Sequence, residues 1–278
     1  NMLLSGEADF ACDIPPDQIS TVQGSARHEV VGGNVMNHRI SVFDKNQPAL
    51  RSPLLRQAMS HAVDRQSIVD ALWDGRTRVP KGLQFEFYGG MFLRDWEVPK
   101  YDLAEARRLV RESGYRGEPI PYRLLNNYYT AQVPTAQILV EGWRQVGINV
   151  AIEMRENFPQ VLSNQGQRGI WDWSNSATFN DPVSSLPNNH GPQGQQWQVG
   201  AWRNDEFGRL SEVLDTSVDH DERLRAFRRM MVIAEREDPA YIILHQTTNL
   251  TAKRKDIAWK PAQSFFMDFT TKNWGHRG

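Results

Sequence analysis

The chain has 278 residues, 40% hydrophobic and 23% charged, with 32 Lys and Arg against 33 Asp and Glu. That is enough to bury one large core or two smaller ones, and it carries no basic field that would advertise nucleic acid. The single cysteine excludes an intrachain disulfide and leaves the compartment open, and no apolar run approaches the ~20 residues of a membrane span.

The opening Asn1-Met-Leu-Leu-Ser-Gly-Glu7 has no basic n-region, no long apolar run and no small-residue cleavage site. It reads as the start of a fragment. A helix end, Gly6 and a short strand Ala8-Asp-Phe-Ala-Cys12 come first, then a turn at Ile14-Pro-Pro-Asp17 into a short helix. Residues 28–44 hold two extended pieces, the second ending Ile40-Ser-Val-Phe-Asp44. Ser52-Pro53 offers an N-cap and a proline first position, and one helix is expected from there to Gly75. Leu55, Ala58, Ala62, Val69 and Leu72 form its stripe at 3.6 residues per turn.

Residues 76–100 lack helical periodicity and are aromatic. Asp102 and Glu105 form a capping box for a helix that Gly114 ends, with Leu103, Ala106, Leu109, Val110 and Ser113 inward. Strand Pro121–Leu125, loop Asn126-Asn-Tyr-Tyr-Thr130, a helix from Ala131 to Val146 and a period-two strand Ile148–Met154 follow. Strand, helix and strand in close order argue for an α/β unit. A short helix over 157–165 precedes a strand at Ile170-Trp-Asp-Trp173. Residues 174–200, rich in Asn, Ser, Pro, Gly and Gln, read as a long loop of the kind that often carries function. Two helices capped by Asn204 and by Asp219 or Asp221 lead to a buried strand Tyr241-Ile-Ile-Leu244, and the tail 250–278 is extended.

Catalytic signatures are missing. There is no Gly-x-Ser-x-Gly elbow, no phosphate-cradling glycine loop and no His-Glu-x-x-His. Histidines 28, 38, 61, 190, 220, 245 and 276 do not pair at metal-ligand spacing, so no cofactor or metal is expected. Cys12, after small and apolar residues, reads as a buried inert thiol.

Four phrases stand in order: Arg56-Gln-Ala with Ala62-Val-Asp-Arg65, then Tyr101-Asp-Leu-Ala-Glu-Ala-Arg107 with Gly114-Tyr115, then a helix followed by Gly147-Ile-Asn-Val150, then Trp202–Phe207 with Asp238-Pro-Ala-Tyr-Ile-Ile-Leu-His245. Together with Ser5-Gly-Glu-Ala-Asp9, this ordered set resembles bacterial ABC-transporter solute-binding proteins of family 5, the dipeptide, oligopeptide and nickel binders. The resemblance implies an α/β, periplasmic-binding-protein-like type II lobe, a mixed sheet flanked by helices. Residues 40–246 would be lobe II, 1–39 the C-terminal part of lobe I, and 247–278 the return to lobe I, with hinges near Ile40 and Gln246. It implies capture of a small polar solute in the periplasm by a monomer whose lobes close, then delivery to an ABC permease in the inner membrane, with no catalysis and no nucleic acid. The export signal would lie upstream.

The resemblance also points to two ligand loops. Tyr128 falls at the family's loop tyrosine and Asn126 at the arginine that holds a peptide carboxylate. Thr178, with Asn175 and Ser176 beside it, falls at the aspartate that holds a peptide ammonium. Asp181, against Pro182, corresponds to a structural turn acid. Trp171 and Trp173 either face this ligand or serve the core. With both charged anchors replaced by neutral side chains, the standard zwitterion clamp is not expected, because an unpaired buried ion costs several kcal/mol. A peptide-like solute, an oligosaccharide or another uncharged polar solute fits. A ligand-sensing lobe of a transcriptional regulator, or a hydrolase on a similar scaffold, stays open.

Overall fold

The structure is a computed structural model that describes residues 2–126 and 128–275. Asn127 of the tyrosine loop, His276 and the terminal Asn1 lie outside the described residues.

One six-stranded mixed sheet runs through the molecule. Its strands are β1 (Phe10–Ala11), β2 (His28–Phe43), β3 (Ile120–Leu125), β4 (Val150–Arg155), β5 (Ile170–Ser176) and β6 (Tyr241–Arg254), in spatial order β1-β6-β2-β5-β3-β4. β3 is parallel to β4 and β5, and the other pairings are antiparallel. The expected α/β unit is therefore present: β3, the helix Gln132–Gln145 and β4 are consecutive, with β3 and β4 parallel neighbours. The two extended pieces within 28–44 are a single 16-residue strand, β2. Its register against β6 shifts between Asn34 and His38 and again between Arg39 and Ile40, and each shift kinks the ribbon locally.

Alternation along the strands sorts the side chains onto two faces. Ile40, Val42, Trp171, Tyr241 and Ile243 enter one core with Trp202, Phe207, Phe227 and Met231. Phe43, Ile170, Ile242, Leu244, Tyr122 and Leu124 enter the other with Leu55, Ala58, Leu139 and Trp143. A third, small cluster joins Leu3, Val22 and Ala252 at the far end of β6.

The helix expected from Ser52 to Gly75 is two helices, Pro53–His61 and Arg65–Trp73. The sequence holds the reason. Asp64 takes a non-helical backbone and accepts a hydrogen bond from the Ser67 N–H, so it caps a new helix rather than continuing the first. The apolar stripe spans the break, with Leu55, Ala58, Ala62 and Val69 all buried. Asp102 caps Leu103–Ser113 and Gly114 ends it with φ 73°, as expected. The long loop over 174–200 is shorter than read: β5 continues to Ser176, and short helices occupy Pro182–Ser184, Leu186–His190 and Gln195–Gln198. Cys12 is exposed rather than buried, because it stands just past the two-residue edge strand β1. Its thiol meets the Met267 Sδ at 3.5 Å, and partial burial, helped by the Asp13 carboxylate, pushes its pKa up.

Candidate functional site

A cleft of about 610 Å³ opens on the face of the sheet that carries the second core, where β2, β5 and β6 leave that core. Its floor is set by register. Asn37 pairs with Ser176 and Arg39 with Ser174 across β2 and β5, so all four side chains share one face. Thr247 and Thr248 of β6, the loop Tyr128–Ala131, Trp73, and Asp13, Pro15 and Phe265 complete the lining.

Arg39 is the centre of the floor, and its charge is already answered. Its side chain is 5% exposed and its Nη2 lies 3.4 Å from the Asp172 Oδ2, itself 2% exposed. Nη1 donates to the Trp173 carbonyl at 2.8 Å. The Tyr129 ring covers the guanidinium at 3.3 Å from ring centroid to Cζ, a cation–π stack. Asp172 also accepts from the Tyr122 and Ser41 hydroxyls. Burial, then the Asp172 charge, pushes the Tyr122 phenol far above its ordinary pKa, so it remains a neutral donor. Beside it neutral groups bond one another: the Asn37 Nδ2 donates to the Ser176 Oγ at 2.8 Å, and the Thr247 hydroxyl donates to the Asn37 Oδ1.

Backbone strain collects here as well. The non-glycine residues with positive φ among the described residues are Asp13, Asp74 and Ala131. Asp13 and Ala131 line this cleft; Ala131 and Asp74 line a neighbouring cavity of about 500 Å³ that shares Pro15, Thr130 and Ala131 with it. Each such residue costs of order 1–3 kcal/mol, and strain of this kind gathers where a site is being shaped.

Of the residues singled out from the sequence, Tyr128 and Ser176 line the cleft. Trp171, Trp173 and Asn175 project from the opposite face of β5, by the two-residue period of the strand. Trp171 is 0% exposed and belongs to the first core. Trp173 packs edge-on against Phe158, which meets Tyr128 in turn, and its Nε1 donates to Asn189. Asn175 is fully buried beside its strand partner His38. Asn126 and Thr178 are exposed and outside the lining. Asp181 caps Pro182–Ser184 and holds Arg223 at 2.8 Å, the turn role expected of it. Sequence reading missed Asn37, Arg39, Tyr129, Ser174 and the two threonines. The available signal was parity: if Trp171 is core, then 172, 174 and 176 face the other way, and an arginine inside the apolar run of β2 marks where that face turns polar.

A family model for bacterial extracellular solute-binding proteins, family 5 Middle, matches residues 1–197. The chain belongs to this family. The glutathione-binding protein GsiB of Salmonella choleraesuis (strain SC-B67) is 28% identical over 167 residues, 60% of this chain and 32% of that protein. The probable deoxycholate-binding periplasmic protein YgiS of Escherichia coli K12 is 25% identical over 256 residues, 88% of this chain and 46% of that protein. The chain thus spans about a third to a half of the length of these relatives. Among solved structures, the oligopeptide-binding protein AppA of Bacillus subtilis, in complex with a nonapeptide, superposes with a TM-score of 0.83 at 16% identity, over 100% of this chain and 57% of that one. A dipeptide-binding protein from Pseudoalteromonas sp. SM9913, in complex with Met-Leu, gives 0.81 at 19% identity, over 99% and 55%. These structural likenesses establish the periplasmic-binding-protein fold.

Proposed function

We propose that this chain is the ligand-binding part of an ABC importer's solute-binding protein, working in the periplasm without catalysis, and that its cleft takes a peptide-like polar solute. The observation that carries this is the cleft itself, walled by the tyrosine loop and by Asn37, Ser174 and Ser176, and faced by Asp13 and Phe265 from the two ends of the chain. Residues 40–246 act as one lobe, and 1–39 with 247–278 as parts of the other. The separate apolar cluster of Leu3, Val22 and Ala252 and the two register shifts in β2 support that division. Closure about β2 and β6 would bring Asp13 and Phe265 onto a solute resting on Tyr128 and Ser176, and a solute drives closure only through contacts that the closed state adds. The names of relatives, given for glutathione and peptide ligands, favour a peptide-like solute. An uncharged saccharide is the second reading, favoured by the neutral Asn37, Ser176 and Thr247 and the compensated Arg39–Asp172 floor.

Native mass spectrometry with trialanine amide and with maltotriose tests this. The expected result is a peptide adduct that Ser176→Trp, which fills the cleft, abolishes. A maltotriose adduct without a peptide adduct selects the saccharide reading, and a peptide adduct indifferent to Ser176→Trp moves the site elsewhere.

A further inference from the structure

A second cavity lies behind the cleft. It encloses about 450 Å³ and shares no lining residue with the cleft. Phe85 in its wall belongs to the first core, and Met36 and Phe87 pack against that core, so this cavity opens on the other face of the sheet. Both are built on the same stretch of β2 and β6. Asn37, Thr247 and Thr248 line the cleft, while Val35, Met36 and Gln246 line the rear cavity. Here the β2–β6 ladder is interrupted between Asn34 and His38.

Gln246 bridges the interruption. Its Nε2 donates to the Val35 carbonyl at 2.9 Å, its Oε1 accepts from the Arg78 Nε at 2.7 Å, and its N–H donates to the Arg78 carbonyl at 2.9 Å. The Met36 N–H donates to the Gln263 carbonyl at 3.1 Å, which fastens residue 263 to β2. Arg78, Glu86 and Phe87 make up the rest of the wall. The rear cavity thus has walls from residues 40–246 and from the two ends of the chain. So does the cleft, where Tyr128 and Ser176 share the lining with Asp13 and Phe265. Two bodies joined by a pair of strands narrow on one side of those strands as they widen on the other.

We infer that the rear cavity sets how far the cleft opens: bulk between Gln263 and Phe87 excludes the conformers in which the rear narrows, and those are the ones with the widest cleft. This goes beyond the solute reading. It rests on the division of the chain into two parts and not on which solute the cleft takes. A side chain in the rear wall touches no solute in the cleft, so it acts on affinity only through the population of the closed form.

Spin labels test this without a solute. Cys12, the chain's one cysteine, is exposed beside the cleft residue Asp13, and Gln137→Cys adds an exposed site on the helix Gln132–Gln145. Double electron–electron resonance then reads the distance across the cleft. Gln263→Trp places an indole in the rear cavity from an exposed position and keeps the carbonyl that Met36 uses. It should shorten the mean distance by about 2 Å or more and remove its long-distance arm. Phe87→Ala takes away the facing wall and should lengthen the distance. An unchanged or longer distance in Gln263→Trp overturns the inference, and so does a folded Phe87→Ala variant whose distance stays or shortens. Trialanine amide gives a second readout: Gln263→Trp should tighten it about two- to threefold. Shifted distances with no trialanine amide adduct would sink the peptide reading and uphold this inference. A bound peptide with fixed distances would do the reverse.

Discussion

Arg56 is 1% exposed, yet it has a partner in each direction its guanidinium can point. Nε donates to the Leu50 carbonyl at 2.8 Å, Nη1 to the Pro239 carbonyl, and Nη2 to the Asp238 Oδ1 at 2.6 Å. Asp238 is held in turn by Lys45 at 2.7 Å and Asn204 at 3.1 Å. Burial alone would raise the Asp238 carboxyl, but Arg56, Lys45 and Asn204 outweigh it and hold its pKa below the ordinary value. Two pieces of chain distant in sequence, 50–56 and 238–239, meet at this one side chain. Arg56→Ala strands two carbonyls and a carboxylate, and should lower stability by about 3–5 kcal/mol in urea unfolding. Arg56→Lys should recover only part, because a single ammonium cannot serve the fork. A loss under 1 kcal/mol for the alanine variant would show the node to be dispensable. In the sequence Arg56 stands beside the apolar stripe of Leu55, Ala58 and Ala62. Its partners at 238 and 239 come from tertiary folding, which no local pattern records.

Among elements, the helix Gln132–Gln145 shows how packing overrides propensity. Gly142 lies inside it, where replacing glycine with alanine ordinarily gains about 1 kcal/mol. Here a Cβ would stand 2.6 Å from the Ala62 backbone carbonyl oxygen, at the point where Pro53–His61 ends and before Asp64 caps the next helix. One residue on, the Trp143 indole donates to the Met59 carbonyl at 3.0 Å, locking the two elements at close approach. Gly142→Ala should therefore destabilise, by about 1–3 kcal/mol from overpacking, and a raised thermal midpoint would contradict this contact. The same elements show what was legible. The caps at Asp102 and Asn204 and the inward Ala106 and Leu109 of the helix that Asp102 starts followed from local chemistry and period. The break at Asp64 was written in a capping residue inside an apolar stripe, where the period outvoted the cap. In β5 the strand was evident, and Trp171 and Trp173 stayed open between ligand and core; alternation along the strand resolves Trp171 into the first core and turns Ser174 and Ser176 to the cleft.

Across the whole molecule, buried histidines set the response to acid. Burial first, then Arg78 and His245, lowers His38 from 6.5 to about 3. Burial lowers His190 to about 3, against the Tyr241 ring at 4.9 Å, and His245 to about 4. All three lie inside the protein along or against the sheet, so they stay neutral in the folded state while the unfolded chain protonates near pH 6.5. Because the folded pKa values are depressed, the unfolded state binds more protons between pH 6.5 and 4. The stability these groups contribute is full above 6.5 and is lost as pH falls. Each adds a slope of roughly 1.4 kcal/mol per pH unit below about pH 6. Glu235 acts in the opposite sense. Burial raises its carboxyl against the pull of Trp96, Leu83, Tyr241 and Arg65, so acidification down to its ordinary value returns stability. One carboxyl against three imidazoles leaves the net sign destabilising in acid. Urea unfolding at pH 7, 5.5 and 4.5 should show stability falling steadily. His190→Phe, which keeps a ring against Tyr241 and Trp202, should remove one proton's share of that slope. An unchanged slope in His190→Phe would mean that His190 already protonates in the folded protein, and that this face of the sheet admits water.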